Sequence, residues 1–123
     1  MKSDIEQKAV LIISSDRAES VLYAKILERI SRISVCEEKA AFDRLSSETP
    51  DLILIGRRAV TDPIEFCQKL RTFPETVQTP LIVDIISSNN PIIEQLHEVG
   101  VNDFLYMPVS PGELTAKCKA LLK

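Results

Sequence analysis

Nowhere in the 123-residue chain does an apolar run approach the roughly 18 to 20 residues that a bilayer-spanning helix needs, so no membrane role is indicated. The opening Met1-Lys2-Ser3-Asp4-Ile5-Glu6 is charged where a secretory leader is apolar, and a cytoplasmic setting is the expectation. An excess of positive charge is missing as well: 15 basic against 18 acidic side chains leave a net charge of −3, which argues against direct contact with nucleic acid. Cys36, Cys67 and Cys118 are odd in number and never spaced C-x-x-C, so neither a disulfide framework nor a zinc site is indicated. They read as small apolar residues of a reducing compartment. The lone histidine, His97 in Glu94-Gln95-Leu96-His97-Glu98, has no second ligand near it in sequence and reads as a solvated helix residue. No Gly/Ser linker, repeat or low-complexity segment divides the chain, which reads as a single domain over 1–123.

Forty-five per cent of the residues are hydrophobic and 27% charged, the balance of a chain that folds around its own core. Ala9-Val10-Leu11-Ile12-Ile13, Leu52-Ile53-Leu54-Ile55 and Leu81-Ile82-Val83 are continuous runs of mostly branched aliphatics, expected of strands covered on both faces. Ile33-Ser34-Val35-Cys36 and Val101-Asn102-Asp103-Phe104-Leu105-Tyr106 mix polar with apolar residues and read as edge strands. Asp16 with Glu19, Asp62 with Glu65 and Ser110 with Glu113 have the spacing of capping boxes. Pro63, Pro91 and Pro111 fall where a first helical residue needs no N–H, and Gly100 falls where a helix ends.

The pattern is strand then helix, five times over. A right-handed (βα)5 chain with edge-like second and fifth strands predicts an α/β fold: a three-layer α/β/α, doubly wound, flavodoxin-like parallel sheet ordered 2-1-3-4-5. Ligands in such sheets sit beyond the ends of the first and third strands, which picks out Ser14, Ser15 and Asp16 on one side and Gly56, Arg57 and Arg58 on the other. Asp84 interrupts an apolar strand, so it needs a hydrogen-bond donor or a solvent-accessible end.

From about Ala9 to Leu122 the sequence resembles the receiver domain of bacterial response regulators. Pro50 to Ile55 looks like that family's third strand, Asp62 to Arg71 like its third helix, and Thr79-Pro80-Leu81-Ile82-Val83 like its fourth strand. Gly100-Val101-Asn102-Asp103-Phe104-Leu105-Tyr106-Met107-Pro108 looks like its fifth strand, and Ser110 to Leu122 like its last helix. The resemblance implies phosphoryl transfer to an aspartate at the end of the third strand, with Mg²⁺ held by an acidic pair and the phosphoryl oxygens held by a lysine and a hydroxyl.

Each of those positions is degenerate here. The acceptor falls on Gly56, the acidic pair on Ser14 and Ser15, and the lysine on Met107. The hydroxyl falls on Ile85, or on Ser87 with two residues inserted. The loop from Gly56 to Asp62 is one residue shorter than the family's common pattern. The resemblance therefore implies a pseudo-receiver with no catalytic residue, no metal and no cofactor. It would work through a protein partner or a homodimer on the fourth helix, fifth strand and fifth helix, as a signalling module that can be part of a longer protein with its output beyond Lys123. Phe104 matches the family's switch aromatic, Tyr106 shares its strand face, and Pro108 matches a proline preceded by a cis bond.

Two alternatives remain: phosphorylation at an unorthodox residue, and an anion or nucleotide held by Ser15, Arg57 and Arg58 in a pocket emptied of acids. Ser14-Ser15-Asp16-Arg17-Ala18-Glu19-Ser20 lacks the hydroxyl- and glycine-rich phosphate loop of a flavodoxin-like cofactor binder. No glycine-flanked elbow makes Ser14 or Ser15 a hydrolase nucleophile.

Overall fold

The computed structural model describes residues 8–56, 58, 60–86 and 90–123. Five parallel strands form one sheet: β1 (Ala9–Ile13), β2 (Arg32–Cys36), β3 (Leu52–Gly56), β4 (Leu81–Ile85) and β5 (Asp103–Tyr106), in the order β2-β1-β3-β4-β5. The helices between and after them are α1 (Arg17–Leu27), α2 (Ala41–Ser47), α3 (Pro63–Thr72), α4 (Ile92–Glu98) and α5 (Pro111–Leu122), with a 3₁₀ turn at Glu38–Ala40 before α2. This is the doubly wound α/β fold that the alternation of apolar runs and helix starts predicts.

Period-two alternation divides the strands between two cores. Leu11, Ile13, Ile53, Ile55, Leu81, Val83, Ile85 and Phe104 pack on the side of α2, α3 and α4. Val10, Ile12, Leu52, Leu54, Ile82 and Leu105 pack against Tyr23 and Leu27 of α1 and Leu114, Cys118 and Leu122 of α5. All residues of β3 and β4 are buried, whereas β2 has only Cys36 buried, in keeping with its place at the edge.

The caps fix where the helices begin. Asp16, Asp62 and Ser110 each accept a hydrogen bond from the backbone N–H three residues on, at Glu19, Glu65 and Glu113. Pro63 and Pro111 open their helices, while Pro91 stands one residue before α4 as its cap and Asn90 Oδ1 accepts from Ile92 N. Gly100 adopts φ +100°, the left-handed value that glycine takes without a steric cost, and so ends α4.

Candidate functional site

The alternation that builds the core also builds the site. Continuing the α1-facing register to the C-terminal ends of the strands places Ser14 after Ile12, Gly56 after Leu54, Asp84 after Ile82 and Met107 after Leu105. Gly56 and Asp84 are register partners. One row of four positions from four strands thus lies under the first turns of α1, at the C-terminal edge of the sheet where ligands bind in such folds.

Two α1 side chains descend on this row. Tyr23, 2% exposed, donates its hydroxyl to Asp84 Oδ2 at 2.8 Å, and Met107 Sδ lies 3.8 Å from the same hydroxyl. Asp84 is 3% exposed, so its donor, not solvent, is what makes a carboxylate tolerable in this strand. Glu19 turns inward as well: Ser14 Oγ donates to Glu19 Oε1 at 3.1 Å, and a hydrogen bond joins the Glu19 and Asp84 carboxyl groups.

Glu19 does not complete a capping box, because Ser14 Oγ takes that role, accepting from Asp16 N at 3.1 Å. Its carboxylate lies instead over Gly56. A β-carbon built on Gly56 would run into Glu19 Oε1, with Glu19 Cδ at 3.3 Å and Ser14 Oγ at 3.5 Å. The volume into which a side chain at the end of β3 would grow is occupied by a carboxyl group from α1.

The electrostatics follow from this crowding. Burial, then the neighbouring Asp84 charge and the hydrogen bond to it, push the Glu19 pKa from its ordinary 4.5 up to about 7, against a smaller opposing effect of the Ser14 hydroxyl. Burial and the same carboxylate raise the Tyr23 phenol far above its ordinary value, so it stays a donor. Beside the pair is a cavity of about 220 Å³ lined by Glu19, Arg58, Asp84, Ile85, Ile86 and Met107. A shallower hollow joins Ser15, Asp16, Glu19 and Arg58.

The structure brings Ser14, Gly56, Ile85, Met107 and Arg58 to this one place, with Ser15 exposed at its rim. Arg58, its side chain 66% exposed, lies 3.7 Å from Asp16 Oδ2. Arg57 and Ser87 lie outside the described residues. The neutral or positive pocket expected from the degenerate positions is not what the row forms: Glu19 and Asp84 bring two carboxyl groups into it that an alignment of family positions does not count. The capping-box spacing reads Glu19 as a cap, and of the two settings open to Asp84 the structure shows the hydrogen-bond donor, Tyr23. The signal was there, since Asp84 and Gly56 share a strand face and Glu19 sits one turn before Tyr23.

Phe104 is buried among the aliphatics on the α3 and α4 side. Tyr106 is half-buried on the same face, with Lys117 Nζ 4.9 Å from its ring centre. Lys117 also donates to Phe104 O and pairs with Glu113 at 3.3 Å and Asp103 at 3.7 Å. The Met107–Pro108 peptide bond is cis.

The donor set does not suit Mg²⁺, a hard cation that wants several anionic oxygens in near-octahedral array. Ser14 Oγ is spent on Glu19 and Asp16, the Asp16 carboxylate caps α1 and meets Arg58, the buried Asp84 carboxylate accepts from Tyr23, and Gly56 brings no side chain. Among the described residues no group of three or more His, Cys, Asp or Glu could hold a metal ion, and no helix is long and apolar enough to cross a membrane.

An open 2-1-3-4-5 parallel sheet with a switch-point crevice under α1 is the flavodoxin-like architecture that receivers share. Comparison with known proteins leads to the receiver class. No protein-family model matches the chain. The cyclic di-GMP phosphodiesterase response regulator RpfG of Xanthomonas campestris pv. campestris (strain 8004) is 31% identical over 126 residues, an alignment covering 99% of this chain and 33% of RpfG. The chemotaxis response regulator CheY4 of Vibrio cholerae superposes with a TM-score of 0.83 at 18% identity, over 94% of this chain and 99% of that one. A two-component response regulator from Clostridium difficile gives 0.83 at 25% identity, over 94% and 96%. The chain is a response-regulator receiver domain of two-component signalling. It spans about a third of the length of RpfG.

Proposed function

We propose that this receiver does not take a phosphoryl group at its switch point and acts in signal transduction through protein–protein contact, as a single module over 1–123 with no enzymatic activity of its own. The observation that carries the reading is the fate of the acceptor position. A receiver's reaction needs a free carboxylate at the end of β3, a cation beside it and a lysine to hold the departing charge. Here β3 ends in Gly56, the space above it is filled by Glu19, and the lysine position is Met107, which offers neither charge nor donor.

The surface left for partners is that of α4, β5 and α5, where Tyr106 and the Asp103–Lys117–Glu113 cluster give a mixed apolar and charged face for a protein partner or a second copy. The output it serves belongs to whatever longer signalling protein carries it. The anion-binding alternative loses its ground, because a phosphate entering beside Arg58 would meet Asp16, Glu19 and Asp84. Phosphorylation at an unorthodox residue has a geometric candidate in Asp84, but that carboxylate is almost wholly buried and already hydrogen-bonded to Tyr23 and Glu19.

Intact mass after incubation with acetyl phosphate and Mg²⁺ tests the reading. The expected result is an unchanged mass. A gain of one phosphoryl group would overturn it, and the site of modification would identify the unorthodox acceptor.

A further inference from the structure

We propose that the Glu19–Asp84 carboxyl pair is a proton-operated latch, closed over Gly56 while the two groups hold one proton between them and released when that proton leaves. The inference does not rest on the absence of phosphorylation, and its test needs no phosphoryl donor.

Two carboxyl groups can hydrogen-bond to each other only if one of them carries a proton. Asp84 is fixed in β4 and accepts from Tyr23, so it is the natural acceptor; Glu19, on a flexible three-torsion side chain, is the donor that can move. When Glu19 gives its proton to solvent, two anions face each other beside Gly56, with Asp16 a third negative charge nearby. Arg58 is the one basic group lining the cavity among the described residues, and it is mostly solvent-exposed. Tyr23, the other titratable group facing the pair, stays protonated. Glu19 is then driven out of the hollow toward the Arg58 side.

The absence of a β-carbon at Gly56 is what lets the latch close, because only the far end of the Glu19 side chain occupies the space that a β-carbon would need. Gly56 is not in the left-handed region, so its value lies in that space rather than in its backbone freedom. The opening side is bordered by Ile86, 58% exposed, and Met107, 40% exposed, so movement of Glu19 changes a surface already presented at the sheet's C-terminal edge. The raised Glu19 pKa of about 7 puts the release near neutral pH, with the latch closed below it and open above.

Side-chain carboxyl ¹³C shifts and backbone amide spectra, followed from pH 5 to pH 9, read the latch directly. The Glu19 carboxyl is expected to titrate near pH 7, and the amides of Gly56, Ile86 and Met107 to move with the same midpoint. Glu19→Gln, which keeps the size of the side chain and a donor, should hold the low-pH spectrum across the range. Gly56→Ala, whose methyl evicts the carboxyl, should return Glu19 to the ordinary range near 4.5. A wild-type Glu19 that titrates between 4 and 5, amides that do not follow its midpoint, or a transition that persists in Glu19→Gln would each overturn the proposal.

Discussion

Asp84 illustrates how a single residue in the wrong company becomes tolerable. A carboxylate buried at the end of a strand costs several kcal/mol unless its lone pairs are used, and here the Tyr23 hydroxyl and the Glu19 carboxyl use them. Hydrogen bonds to ionised groups contribute roughly 1.5–3 kcal/mol, and both Tyr23 and Asp84 are almost fully buried. Tyr23→Phe removes the donor while keeping the ring in the core cluster that it shares with Leu27 and Leu54. Urea unfolding of that variant should show a loss of about 2 kcal/mol at neutral pH. A loss below about 0.5 kcal/mol would mean that Asp84 is satisfied without Tyr23. The three cysteines are buried, and burial pushes the Cys67 and Cys118 thiols up to about 12, which suits their reading as core residues rather than nucleophiles.

Among the elements, α3, besides packing its apolar face into the core, is tied to β4 and the turn into β5 by the polar contacts of one side chain. Arg71, in the last turn of α3, donates to Gly100 O at 2.8 Å, to Thr76 O at 2.8 Å and to Thr79 O at 2.7 Å, and reaches Asn102 Oδ1 at 3.0 Å. Asn102 Oδ1 in turn accepts from Leu81 N, so the guanidinium links the end of α3, the start of β4 and the turn into β5. The left-handed Gly100 is held against it, with the built β-carbon 2.8 Å from Arg71 Nε. Arg71→Ala should destabilise the fold by about 3 kcal/mol, and Arg71→Lys should recover less than half of that, because an ammonium cannot present a planar fork to three carbonyls at once. Equal stability of the Lys variant and the wild type in thermal unfolding would show that charge alone, not the fork, makes the link. None of this clamp is legible from the sequence, which marks where α3 and α4 end but not what reaches across between them. Strand identity, order and caps were legible because each rests on local chemistry: branched aliphatic runs, a hydroxyl or carboxylate three residues before a glutamate, a glycine at a helix end.

For the molecule as a whole, fold and site were legible to different depths. The topology follows from periodicity and connection rules, and the proposed degenerate positions Ser14, Ser15, Gly56 and Met107 come from counting along the receiver pattern. What replaces the lost groups does not follow from that counting. Glu19 looks like a capping residue until Ser14 is seen to do the capping, and Asp84 looks isolated until α1 is laid across the sheet. The first depends on a side chain just before the helix competing for the cap, and the second on a contact between residues 61 positions apart, which no local pattern encodes. On the proposed reading the receiver's crevice is closed from within: the space beside Gly56 is filled by Glu19 of its own first helix. The most direct test is a comparison of amide NMR spectra with and without Mg²⁺ and beryllium fluoride, the acyl-phosphate mimic, at constant pH. Superimposable spectra are expected. Shifts clustered at Gly56, Asp84 and Met107 would contradict the account, because they would mean that the crevice still accepts the metal and the phosphoryl group.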